Sequence, residues 1–260
     1  MFDEAAEDSA LNLAIKVKEL HNDFMIKAII FDWFGVCTVE NWRDAVAREL
    51  HRRLGIDETL IKTEFKKLTP AFAADTISPA EFLNRLIKSL KIEQPSPNFT
   101  HAPVPLEQDG AGFRAPKAKK AIASSASSGE RFTFIFQTIP ALNMAVLNLA
   151  RQLRRHYKVY LLSNNFGPVF PLYQKQLNLS EYFDELFLSH EMKMNKTQDN
   201  IWELLLKRIK YQPGEILFID NTEKYIALAK TLGVTGVLYK DYTLLLKELN
   251  ELGIEKNLIT

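Results

Sequence analysis

Five polar residues stand at or just past the ends of apolar runs in this 260-residue sequence: Asp32, Ser163, Lys196, Asp220 and Asn221. Their types suit attack on a phosphoryl or alkyl centre. A carboxylate such as Asp32 can form a covalent intermediate that water later cleaves. A phosphate resists an anionic nucleophile unless its charge is neutralised, a task for the Lys196 ammonium and a divalent cation. Mg²⁺ prefers oxygen ligands and keeps several waters, so one or two side chains plus substrate suffice to hold it. The Ser163 hydroxyl and the N–H groups after it can hold the oxygens of a transferring group. Singly, each residue reads as a cap or a surface group; their ordered arrival at strand ends carries the argument.

The elements that position them follow from hydrophobic patterning. Residues 27–32 (KAIIFD), 158–163 (KVYLLS), 185–189 (ELFLS), 215–220 (EILFID) and 235–239 (TGVLY) read as buried strands. Residues 141–156, 168–177, 197–209 and 222–232 carry apolar spacing near that of a helix, and Gly233 stands where a left-handed residue ends the last of them. Strand–helix alternation predicts an α/β fold with a parallel sheet covered on both faces. Ligands of such sheets bind outside the carboxyl ends of the strands, where all five residues fall.

Between the first two strands the pattern changes. Residues 41–54, 58–68 and 78–90 read as helices without strands among them, a helical insertion on the sheet. Residues 95–130 then carry Pro95, Pro97, Pro103, Pro105, Pro116, Gly110, Gly112, Gly129 and a serine-rich run, which predicts a flexible linker. The expected organisation is therefore an N-terminal extension over 1–24, an α/β core of 25–37 and 136–260, a helical cap over 38–94, and a linker over 95–135. The string at 110–115 has the spacing of a dinucleotide fingerprint but neither a strand before it nor a helix after it, so it is set aside. The basic cluster Arg114, Lys117, Lys119 and Lys120 lacks interleaved aromatics and reads as solvated.

Composition narrows the class. Lys+Arg total 33 against 32 Asp+Glu, so no long-range field draws the chain to nucleic acid or an anionic membrane. A single cysteine, Cys37, fits a reducing compartment, and the acidic N-terminus lacks the basic-then-apolar pattern of a signal peptide. A cytoplasmic protein with no membrane partner, monomeric or homodimeric, is expected. There is no G-x-S-x-G, and His21, His51, His101, His156 and His190 have no metal-ligand spacing.

The segments around these residues resemble the four ordered motifs of the haloacid dehalogenase superfamily. IIFDWFGVCT resembles the first, VYLLSNN the second, HEMKMNKTQDNIW the third with Thr197 in place of its usual proline, and ILFIDNTEKYIALAKTLG the fourth. The resemblance runs from about Met25 to the C-terminus, the linker excepted. It implies a Rossmann-like core with a type-1 helical cap, and a hydrolase with Asp32 as nucleophile and Ser163 and Lys196 in the catalytic set. It further implies substrate contacts from Phe34, Gly35, Asn164 and Asn165, with Arg43 of the cap able to reach an anionic group. Mg²⁺ would be held by Asp32, the Phe34 carbonyl, Asp220 and Asn221.

The sequence departs from that pattern twice. The phosphatases of the family place a second aspartate two residues after the nucleophile, where Phe34 stands here; its carbonyl remains, but its side chain moves no proton. Asn221 replaces the second acid of the fourth motif and removes one negative charge from the metal site. Three readings follow: a Mg²⁺-dependent phosphatase of a small phosphorylated metabolite, a degenerate member that binds a phospho-ligand or protein without turnover, and a metal-independent 2-haloacid dehalogenase. The first ranks highest with the second a serious rival, and dehalogenation ranks below phosphate chemistry because Asp220-Asn221 lacks the dehalogenase pattern of Ser and Asn followed by a later Asp.

Overall fold

The computed structural model describes residues 25–73, 76–92, 134–165, 167, 169–194, 196 and 199–254. The expected extension over 1–24 and nearly all of the expected linker lie outside the described residues, as do the strings set aside in that linker and Thr197. Five strands form one sheet: β1 (Ala28–Phe31), β2 (Lys158–Ser163), β3 (Glu185–Leu188), β4 (Ile216–Asp220) and β5 (Thr235–Leu238). Their order is β3-β2-β1-β4-β5, and every pairing is parallel. The chain builds outward from β1 on one side, then crosses to build on the other. The reversal of strand order beside β1 opens the crevice where an open α/β sheet binds ligand.

Side chains alternate between two cores because successive residues of a strand face opposite ways. Ile29, Phe31, Val159, Leu161, Leu217 and Ile219 join one core, and Ala28, Ile30, Tyr160, Leu162, Ile216 and Phe218 the other. Both faces are buried, which is why these strands read as unbroken apolar runs.

Helices α1 (Trp42–Leu54), α2 (Glu58–Ala73) and α3 (Pro79–Ser89) follow β1 as expected. Gly55, left-handed at φ 69°, ends α1, and the Ser78 hydroxyl starts α3 by accepting from the Glu81 amide at 3.1 Å. Their common core is aromatic: Trp42 meets Phe65 edge-on at 5.1 Å, and Phe72 stacks on Phe82 at 4.5 Å. The helical turn α4 (Phe134–Gln137) begins inside the stretch expected as linker, because Phe134, Ile135 and Phe136 are buried, and Phe136 stacks on Trp42. The chain leaves and re-enters the sheet along two adjoining segments, with the Val39 amide donating to Ala141 O and the Asn143 amide to Cys37 O, each at 2.9 Å.

Helices α5 (Met144–Leu153), α6 (Phe170–Gln176), the one-turn α7 (Ser189–Met192), α8 (Asp199–Ile209) and α9 (Glu223–Thr231) link the later strands. Gly233 ends α9 at φ 83°, as the sequence predicts. A helix that the sequence reading did not include, α10 (Tyr242–Glu251), is capped by Asp241 and buries Leu245 and Leu249. No helix among the described residues is long and apolar enough to cross a membrane.

Candidate active site

Asp32 continues the pleat of β1, so its side chain falls on the face of Ala28 and Ile30. Asp220, the last residue of β4, falls on the face of Ile216 and Phe218, which is the same face. The register pairs Phe31 with Ile219, so the two carboxylates stand side by side on adjacent strands. Lys196 arrives from that face. Its Nζ donates to Asp32 Oδ1 at 2.5 Å and to Asp220 Oδ2 at 2.7 Å, and lies 5.5 Å from the ring centres of both Phe218 and Tyr225.

All three groups are withdrawn from water: Asp32 is 7%, Lys196 1% and Asp220 0% exposed. Loss of hydration is the largest influence on Asp32 and pushes its carboxyl up to about 7; Lys196 opposes the shift and Asp220 reinforces it. For Lys196 burial alone would lower the pKa, but the contacts with Asp220 and Asp32 outweigh it and hold the ammonium above its usual range. The cluster carries one net negative charge when all three are ionised.

The turn after Asp32 is tight and fixed on several sides. Gly35 sits at φ 80°, a conformation that a side chain disfavours. Its amide donates to Thr38 Oγ1 at 3.0 Å, and that hydroxyl donates to Glu40 O at 2.7 Å. Trp33 packs edge-on against Tyr173 at 4.9 Å and Phe170 at 5.5 Å, which holds the turn against α6. Phe34 is buried, its ring 6.3 Å from that of Tyr173.

The exit of β2 supplies hydrogen-bonding groups of two kinds. Ser163 Oγ is fully buried and has no hydrogen-bond partner among the described residues. The Asn164 side chain is already engaged: Oδ1 accepts from the Lys196 amide at 2.9 Å and Nδ2 donates to the Tyr225 hydroxyl at 3.0 Å. Asn165 is clamped to the exit of β3, its amide donating to Ser189 Oγ at 3.0 Å and Ser189 Oγ donating to its carbonyl at 3.1 Å.

At the exit of β4, Asp220 Oδ1 accepts from the Thr222 amide at 2.8 Å, so both its oxygens are in use. Asn221 Oδ1 accepts from Thr222 Oγ1 at 3.3 Å. Among the described residues no three or more His, Cys, Asp or Glu side chains gather to hold a metal. A cation here would rely on the oxygens of Asp32, the Phe34 carbonyl, Asp220 and Asn221. These are hard oxygen donors of the kind Mg²⁺ takes, with one carboxylate among them already neutralised by Lys196.

Of the residues singled out from the sequence, Asp32, Lys196 and Asp220 meet directly. Ser163 lies on the neighbouring strand, one residue beyond the level of Asp32. Arg43 lies on α1 with its Nε 3.6 Å from Asp44 Oδ1, and its side chain is 39% exposed. The sequence reading missed Tyr225, Thr38 and Ser189, which hold the loops. Thr38 and Tyr225 lie inside the first and fourth motif segments and Ser189 ends the third apolar run, but the hydrogen bonds they make depend on the tertiary fold.

A model of haloacid dehalogenase-like hydrolases matches residues 26–233. Among curated proteins, a D-ribitol-5-phosphate phosphatase of Bacteroides thetaiotaomicron is 35% identical over 89 residues, and a bifunctional epoxide hydrolase 2 of Rattus norvegicus is 26% identical over 143. The matches cover 31% and 52% of this chain but only 42% and 26% of those relatives. Among solved structures, the magnesium complex of a HAD family enzyme from Bacteroides thetaiotaomicron superposes with TM-score 0.59 at 21% identity, covering 85% of this chain and 98% of that one. The L-2-haloacid dehalogenase of Xanthobacter autotrophicus superposes with TM-score 0.55 at 14% identity, covering 89% and 88%. At these identities the superpositions speak to the fold.

Proposed function

Because the chain belongs to the haloacid dehalogenase-like hydrolases, we propose that it hydrolyses a phosphate monoester of a small metabolite through an aspartyl-phosphate at Asp32. The observation that carries this reading is the buried Asp32–Lys196–Asp220 arrangement, a carboxylate nucleophile held in place by an ammonium. The similarity to a sugar-alcohol phosphate phosphatase supports a phosphorylated substrate.

An Asp32 oxygen attacks phosphorus, the bond from phosphorus to the substrate oxygen breaks, and that oxygen leaves with the electron pair and takes its proton from solvent water, since Phe34 supplies none. Water then attacks phosphorus, which releases inorganic phosphate and restores the carboxylate. Lys196 offsets charge on the transferring group, and the Ser163 hydroxyl and the Asn164 N–H receive its oxygens. Asn164 keeps the Ser163 loop and the Lys196 backbone in register through the 2.9 Å bond between them. Asp32, the Phe34 carbonyl, Asp220 and Asn221 would hold Mg²⁺, which when bound neutralises the phosphate's charge.

Phe34 favours a second reading, a protein that binds a phospho-ligand without turnover, because the buried ring cannot protonate a leaving group. Turnover of a chromogenic phosphate ester, with and without Mg²⁺, separates the two. Wild type should release product and Asp32→Asn should not; equal rates for both proteins would overturn the proposal. Activity towards short 2-haloacids that persists under chelation would instead support metal-independent dehalogenation.

A further inference from the structure

We propose that His190, through Asn165, is a positioning residue for the anionic end of the substrate; this rests on the reading of the β2 exit as the seat of that end. Asn165 is 4% exposed, and its Nδ2 is buried with no hydrogen-bond partner among the described residues. Two residues earlier Ser163 Oγ is in the same condition. A buried polar group left unpaired costs about 1–3 kcal/mol. Two of them within three residues, at the carboxyl edge of a parallel sheet, fit a loop that completes its bonds with an oxygen-bearing ligand.

His190 decides which way the amide faces. Its ring Nδ1–H donates to Asn165 Oδ1 at 2.5 Å, which turns Oδ1 towards the β3 exit and leaves Nδ2 as the free donor. The Ser189 hydroxyl fixes the Asn165 backbone from the same side, and the His190 ring covers Gly167, its Cδ2 3.5 Å from where a Cβ there would lie. The backbone clamp needs only Ser189. Without the imidazole the loop would stay in place while the amide lost its orientation. The other ring nitrogen, Nε2, lies 4.0 Å from the exposed carboxylate of Glu191, beyond hydrogen-bond reach.

The test measures inorganic phosphate binding to the full chain by phosphorus NMR, and KM against kcat with a chromogenic ester. His190→Ala and His190→Phe, the latter keeping a ring of similar size, should each weaken phosphate about tenfold, with KM rising in parallel and kcat nearly unchanged. His190→Asn, whose amide nitrogen stands near the Nδ1 position, should bind within about threefold of wild type. Asn165→Ala should equal His190→Ala, and the double variant should lose no more than about twofold beyond either single change, since the two act as one unit. Wild-type affinity in His190→Phe, or losses that multiply in the double variant, would overturn the proposal. Ser163→Ala keeps the two readings apart. If it weakens phosphate while His190→Phe does not, only the His190 inference falls; if it too has no effect, the β2 exit is not an anion seat and both fall.

Discussion

The side-chain nitrogen of Asn221 occupies the place where a side chain on residue 35 would begin, 2.1 Å from the position of a Cβ built on Gly35. The exits of β4 and β1 thus interlock through an amide packed into a glycine notch, and the turn that carries Phe34 is held from the side on which the fourth-motif residues stand. Asn41, the residue before α1, points its Oδ1 at the same spot, 3.8 Å from that Cβ position.

Gly35→Ala should be severe for two reasons, the left-handed φ of 80° and the collision with Asn221. A loss of about 2–4 kcal/mol in denaturant unfolding is expected. Removing the colliding amide as well, in Gly35→Ala with Asn221→Gly, should recover part of that loss.

Lys196→Met leaves two carboxylates facing each other in a dry site. Stability at pH 8 should fall by about 3–5 kcal/mol, the cost of breaking a buried ion pair. The loss should shrink at pH 5, where Asp32 takes up a proton. Turnover should fall by about 10²–10³-fold, as when one stabilising donor is removed from a charged transition state.

Asp32 itself makes stability depend on pH. Its carboxyl titrates near 3.8 in the unfolded chain but is pushed up to about 7 when folded, so between those values the native state holds a proton that the unfolded state releases. Its contribution to stability therefore declines as pH rises through that window. Asp32→Asn should be more stable than wild type by ~1–3 kcal/mol at pH 8 and nearly equal to it at pH 4, measured by thermal unfolding. For the same reason kcat/KM at low Mg²⁺ should rise with pH up to about 7 as the attacking carboxylate forms, and added Mg²⁺ should move that limb to lower pH.

Phe34 and Asn221 set the demands on the substrate and the metal. With no acid at position 34, rates for a series of aryl phosphates should depend steeply on leaving-group pKa. Phe34→Asp should flatten that dependence and raise the rate for the poorest leaving group by roughly 10²-fold or more. Asn221→Asp restores a negative charge and should tighten Mg²⁺, followed by calorimetry, by about tenfold. Unchanged slopes and an unchanged metal affinity would contradict this account of the two substitutions.

Much of the fold was legible because a parallel sheet covered on both faces forces continuous apolar runs, and Ala28–Phe31 and Ile216–Asp220 differ from their expected bounds only at the ends. The helices expected over 141–156 and 222–232 proved shorter, because Asn143 and Thr222 are the points where they begin, while the one expected over 58–68 runs on to Ala73. Within the site, residue types and order marked Asp32, Ser163, Lys196 and Asp220. What side chains do across the fold was not legible. Asn164 was expected to serve through its backbone, yet its side chain reaches Lys196 and Tyr225, 32 and 61 positions away.

The most direct measurement is the intact mass of the full chain quenched in acid during turnover of a phosphate ester, followed by peptide mapping. An Asp32 nucleophile predicts a population heavier by one phosphoryl group, with the modification on the peptide carrying Asp32 and absent from Asp32→Asn. Turnover without any such adduct, or an adduct that persists in Asp32→Asn, would contradict the mechanism.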